Sequence, residues 1–209
     1  MAQSHEHHHS PESAGRVRHG HDWHSKDYVD EWVTKDRGRG DRRLPLLQRM
    51  MSGVPLAKDA ALRVLDIGGG YGAVSEQVLS AFPNAQVTVQ DFSSVMLDEA
   101  RVYLSRFAGR VRFALGDLRD RSWTGKLEGP FDLAVSAIAI HNLDTIAAIA
   151  PVYSDVHAVL KPGGWFLDYD HFDHAGDIES HIKAFKKAGY SQVESLWYES
   201  PTGIIRAKA

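Results

Sequence analysis

The 209-residue sequence contains no cysteine, which excludes disulfides and thiolate zinc sites. It has no run near the roughly 18 consecutive apolar residues that a membrane-spanning helix requires. No secretory signal and no internal repeat is visible, so a cytoplasmic location is expected. Charge of either sign is unconcentrated, with 24 Lys and Arg against 27 Asp and Glu. The basic cluster Lys35, Arg37, Arg39, Arg42 and Arg43 is interrupted by Asp36 and Asp41 and reads as a solvated linker. That argues against nucleic acid as the main partner.

What the chain does have is 43% hydrophobic content, enough for one full core. The expected organisation is a disordered His-rich tail at 1–20, a helical cap at 21–57 and one α/β domain at 58–209. His5, His7, His8, His9 and His19 in the tail read as incidental to the chemistry. In the cap, Val29, Trp32 and Val33 form a helical stripe from about residue 22 to 36, and Tyr28 lies on an adjoining face. Gly38 and Gly40 break that helix. Asp41 is expected to cap a second one, with Leu44, Leu47, Met50 and Met51 on its apolar side. Such a pair lies well for covering a ligand mouth, with Tyr28 assigned to the cofactor side.

From residue 62 onward strands and helices alternate. Strands are expected at 62–67, 86–90, 110–115, 131–137 and 165–169, with helical stretches between them and turn signals at Pro83-Asn84, Gly129-Pro130 and Lys161-Pro162-Gly163-Gly164. Two strand-like runs around Pro201-Thr202-Gly203 suggest a closing hairpin. The pattern predicts a Rossmann-like, doubly wound and mostly parallel α/β sheet. Its first strand ends in Gly68-Gly69-Gly70-Tyr71-Gly72, where a backbone turn can approach a nucleotide-like ligand.

The glycines leave the ligand open, since Gly68-x-Gly70-x-x-Ala73 also satisfies a dinucleotide pattern. Carboxylates at three strand ends narrow it. Asp91, 19 residues past Gly72, suits a ribose diol, and Asp117 suits an adenine amino group. Asp66, just before the turn, would repel a pyrophosphate and suit a cationic ligand such as S-adenosylmethionine. The Tyr-x-x-x-Lys pair of short-chain hydride-transfer enzymes is missing.

With these motifs, residues 62–170 resemble class I S-adenosylmethionine-dependent methyltransferases of the small-molecule type. The matching stretches are Val64-Leu65-Asp66-Ile67-Gly68-Gly69-Gly70-Tyr71-Gly72, Val89-Gln90-Asp91-Phe92-Ser93-Ser94-Val95-Met96-Leu97, Leu115-Gly116-Asp117-Leu118, Ser136-Ala137-Ile138-Ala139-Ile140-His141-Asn142-Leu143 and Leu160-Lys161-Pro162-Gly163-Gly164. The resemblance implies a seven-stranded sheet with its last strand antiparallel. It also implies that Asp66, Gly68 and Gly70 border the methionine part, Asp91 the ribose, Phe92 and Met96 the adenine faces, Asp117 and Leu118 the adenine edge, and Ser136 the methionine side. Gln90 departs from the family pattern, with no expected functional consequence.

Methyl transfer needs positioning and exclusion of water, with a base only when the acceptor must lose a proton. His141 is the favoured base, with His24, Tyr28, His171 and His174 as other candidates. No metal is expected, although Asp168, Asp170, His171 and His174 invite a metal reading. The expected partner is a small-molecule acceptor offering O, N or S, with no membrane and a homodimer left open. The competing classes are an NAD(P)-dependent oxidoreductase and a non-catalytic S-adenosylmethionine-binding module.

Overall fold

Short β-branched runs bounded by glycine, proline and capping residues build a sheet in this protein, described for residues 22–209 by a computed structural model. The His-rich stretch 1–20 lies outside the described residues. Strands β1 (Arg63–Ile67), β2 (Gln86–Asp91), β3 (Val111–Leu115), β4 (Phe131–Ala137) and β5 (Leu160–His171) are parallel, and β6 (Gln192–Glu199) with β7 (Thr202–Lys208) forms the closing hairpin. The sheet has seven strands in the order β3-β2-β1-β4-β5-β7-β6, with β7 antiparallel to both neighbours. The order turns back between β1 and β4, so the connections leaving those strands diverge and open a crevice at their carboxyl ends.

Helices cover both faces. α1 (Lys26–Arg37), α2 (Gly40–Ser52), α3 (Ala73–Ala81) and α4 (Ser94–Tyr103) share one core with the sheet through Val29, Met50, Val78 and Leu97. α5 (Ile146–Val159) and α6 (Ile178–Lys187) bury Ile149, Tyr153 and Phe185 against the other face. The polar caps are local: Ser93 Oγ accepts Met96 N–H at 3.1 Å, Thr145 Oγ1 accepts Ala148 N–H at 3.2 Å, and Asp177 Oδ1 accepts Ser180 N–H at 2.7 Å. Gly189, at φ +106°, ends α6 in the conformation where a Cβ is disfavoured.

β1, β2 and β3 differ from expectation by one residue at one end, and α1, α2 and β5 by more. α1 begins at Lys26 because Ser25, whose Oγ accepts Tyr28 N–H, caps it. α2 begins at Gly40, with Arg39 in the cap position and no side-chain cap, so Asp41 lies inside the first turn. β5 starts at Leu160 because Leu160 pairs with Phe131, the Lys161-Pro162-Gly163-Gly164 turn forming an irregularity inside β5 before Trp165 pairs with Leu133. Among the described residues, no helix is long and apolar enough to cross a membrane.

Candidate functional site

The turn after β1 is gripped by the end of β2. Three successive N–H groups donate to it: Gly68 to Gln90 Oε1 at 3.1 Å, Gly69 to the Gln90 carbonyl at 2.9 Å, and Gly70 to Asp91 Oδ2 at 2.9 Å. Gly68 (φ +60°) and Gly72 (φ +97°) both adopt left-handed backbone. A Cβ at Gly68 would come within 2.5 Å of Ala139 Cβ, and one at Gly72 within 2.6 Å of Leu104 Cδ1.

Asp66 lies beneath this turn and is fully buried. Its Oδ2 accepts the Ser75 hydroxyl at 2.6 Å, and Ser75 N–H adds a bond at the start of α3. Burial pushes its carboxyl up to about 7 against those bonds, and Oδ1 has no hydrogen-bond partner. An internal carboxylate thus takes the helix N-terminus that a bound pyrophosphate would use. With the N–H groups of Gly68 to Gly70 also committed, this turn is a poor phosphate cradle. Asp66 acts as an internal cap and is not part of the cavity wall.

A cavity of about 820 Å³ opens over the turn, within the about 300–1,000 Å³ typical of ligand pockets. Of the residues singled out from sequence, Gly68, Gly70, Asp91, Phe92, Met96, Asp117 and Leu118 line it. Asp91 accepts Gly70 N–H and, at 2.8 Å, Ser93 N–H. Burial pushes its carboxyl up while these bonds pull it down. The Phe92 N–H adds a third bond, which leaves the carboxylate one lone pair for a hydroxyl. Phe92 is met edge-on by His24 at 5.3 Å between ring centres, and Met96 is buried below Gly70. Asp117 accepts Arg119 N–H at 2.9 Å.

Ser136, Tyr28 and His141 sit off that wall. Ser136 is buried and donates to the Ile67 carbonyl at 3.0 Å, tying β4 to β1. Tyr28 packs edge-on against Trp23 at 5.3 Å. His141 Nδ1 is 2.6 Å from Asp170 Oδ1, and its backbone N–H donates to Asp170 Oδ2 at 2.9 Å. The rings of His171 and His174, which do line the cavity, stand 5.1 and 5.4 Å from that of His141. Burial holds His171 below the ordinary histidine value. Asp168 instead lies fully buried, accepting the Tyr153 hydroxyl at 3.2 Å. Among the described residues no three His, Asp or Glu side chains are grouped to hold a metal.

The sequence reading missed two features. Gln90, expected to be without consequence, clamps Gly68 and also donates from Nε2 to the Gly116 carbonyl at 2.6 Å. The basic cluster, expected to be a solvated linker, spans the α1–α2 junction, and Arg39, Arg42 and Arg43 line the cavity. There Asp36 Oδ2 accepts both the Tyr71 hydroxyl, at 2.8 Å, and Arg43, which pins the cap to the glycine turn. The signal lay in the spacing, since positions 39, 42 and 43 share one helical face.

Residues 64–164 match the family model described as "Methyltransferase domain". A demethylmenaquinone methyltransferase of Leptospira interrogans is 33% identical over 111 residues, covering 52% of this chain and 43% of that protein. A ribosomal RNA small subunit methyltransferase C of Haemophilus influenzae is 27% identical over 59% of this chain and 33% of its own length. The chain thus spans less than half the length of these curated relatives. Human N-acetylserotonin methyltransferase, solved with S-adenosylmethionine, superposes with a TM-score of 0.68 over 89% of this chain and 57% of its own, at 16% identity. At that identity the likeness concerns the fold.

Proposed function

We propose, from the premise that residues 64–164 are a class I S-adenosylmethionine-dependent methyltransferase domain, that this chain transfers a methyl group to an O, N or S atom of a small-molecule acceptor. The observation that carries the reading is the double grip of Gln90 and Asp91 on the turn. It consumes the N–H groups a pyrophosphate would need and leaves Asp91 on the cavity wall as an acceptor for a ribose hydroxyl.

The bound cofactor supplies a methyl carbon made electrophilic by its sulfonium. In our reading Asp91 holds the ribose diol, Phe92 and Met96 flank the adenine, and Asp117 with the Leu118 backbone reads its edge. Gly68 and Gly70 let the methionyl part approach the chain, with Ser136 holding β4 in place behind it. His141 is the base for an acceptor that must lose a proton. Asp170 engages Nδ1 and leaves Nε2 as the nitrogen to take that proton. The division into a cap at 21–57 and a domain at 58–209, and a cytoplasmic setting, belong to the same proposal. Tyr28 then supports the cap through Trp23.

Isothermal titration with S-adenosylhomocysteine tests the reading. We expect binding by the wild type and its loss in Asp91→Ala. Binding of NAD(H) with no binding of S-adenosylhomocysteine would favour the oxidoreductase class and sink the proposal.

A further inference from the structure

We infer that the acceptor is a small anion with an apolar body, whose carboxylate or phosphate is held by Arg39 and Arg42 on the cap side of the cavity. The inference rests on the methyl-transfer reading above and deepens it.

Arg39, Arg42 and Arg43 line the cavity from the start of α2. Arg43 is neutralised by Asp36, which Tyr71 also holds. Among the described residues Arg39 and Arg42 have no carboxylate partner. Two of the lining carboxylates have a cation partner, Asp36 in Arg43 and Asp117 in Arg119 at 3.8 Å. Asp91 and Asp144 have no cation partner, and Arg39 and Arg42 are the lining arginines with no carboxylate within ion-pair distance among the described residues. An arginine without a carboxylate partner on a concave wall offers its N–H fork to the two oxygens of an incoming carboxylate or phosphate. Leu46, Ile138 and Tyr169 line the same cavity and suit an apolar body.

The rival occupant is the cofactor's own methionyl carboxylate. Arg43 suits that group better, since Asp36 ties it to Tyr71 of the glycine turn and its buried Nε still has no hydrogen-bond partner. Arg39 and Arg42 line the cavity while staying exposed, and no bond ties them to the glycine turn.

The test titrates the full chain, saturated with S-adenosylhomocysteine, with salicylate and phenyl phosphate against neutral salicylamide and phenol. We expect one anion to bind about tenfold or more tightly than its neutral counterpart, as a guanidinium–anion pair supplies. The double variants Arg39→Glu/Arg42→Glu and the milder Arg39→Gln/Arg42→Gln should both lose that preference while keeping S-adenosylhomocysteine affinity. Which anion wins separates a carboxylate acceptor from a phosphate ester. Equal binding of anion and neutral probe, no binding of either anion, or a preference that survives charge reversal overturns the inference. So does loss of S-adenosylhomocysteine affinity in the milder variant, because the arginines then serve the cofactor. Failure of the wild type to bind S-adenosylhomocysteine, read before any anion is added, sinks the methyl-transfer reading and this inference with it.

Discussion

The side-chain oxygen of Gln90 accepts the backbone N–H of Gly68 at 3.1 Å, and the same amide donates to the Gly116 carbonyl at 2.6 Å. The two partners fix the orientation of the amide. One side chain thereby locks the ends of β1, β2 and β3 to each other directly under the cavity. Gln90→Leu keeps the volume but strands a part-buried donor and acceptor, at about 1–2 kcal/mol for each, the lower part of the range for buried groups. Urea unfolding should show a loss of about 2–4 kcal/mol, and titration should show weaker S-adenosylhomocysteine binding. Unchanged affinity in a folded Gln90→Leu protein would reduce the residue to a core amide.

Asp91 divides its oxygens between Gly70 N–H and Ser93 N–H. Asp91→Asn keeps the size and one acceptor oxygen but replaces the other with a donor facing an N–H. Affinity for S-adenosylhomocysteine should fall about ten- to hundredfold, the range for a hydrogen bond to a charged group. Adenine alone, which lacks the ribose, should bind the variant and the wild type equally. Equal weakening for adenine would mean that the substitution deforms the turn as a whole.

Much of this architecture was legible because it rests on local chemistry. The strand-ending carboxylates Asp66, Asp91 and Asp117, the serine cap at Ser93 and the glycine after α6 each have a short-range cause. The doubly wound order followed from their alternation, and so did the closing hairpin. What was not legible depends on long-range pairing. Gln90 looks like a misplaced polar residue in a buried strand until Gly68 and Gly116, 22 and 26 residues away, are brought beside it. The arginines at 39, 42 and 43 look solvated until the fold sets a cavity against them. Asp66 was located correctly but its environment was not, because burial under Gly69 is a tertiary fact.

Asp66 gives the protein a pH signature. Its folded value of about 7 lies above the roughly 3.9 of an unfolded aspartate. Between those values the native state holds a proton that the unfolded state has released. Its contribution to stability is therefore complete below about pH 4, declines as pH rises, and is lost above about pH 7. Asp66→Asn removes this slope, so the variant should gain on the wild type from about pH 5 to pH 8 in urea unfolding. The ionised carboxylate also favours a sulfonium over a neutral thioether. In the wild type, the affinity ratio of S-adenosylmethionine to S-adenosylhomocysteine should rise with pH and level off above about 7. A ratio flat from pH 5 to 8 would mean that the sulfonium lies out of reach of Asp66.

Asp170 accepts His141 Nδ1 and His141 N–H, and a third bond from His171 N–H at 2.8 Å. A buried carboxylate that fixes one imbalanced side of an imidazole leaves the other nitrogen defined as the acceptor of a proton. For any acceptor that the wild type methylates through a hydroxyl, His141→Phe should lower kcat by about 10²–10⁴. Affinity for S-adenosylhomocysteine should stay as it was, since a base meets the acceptor and not the cofactor. Asp170→Asn should follow it in direction with a smaller loss, because the ring keeps a hydrogen-bonding neighbour without the charge. An acceptor that is already ionised should be methylated at nearly the same rate by all three proteins. That contrast separates a base from a merely structural histidine, for a packing defect would slow both kinds of acceptor alike.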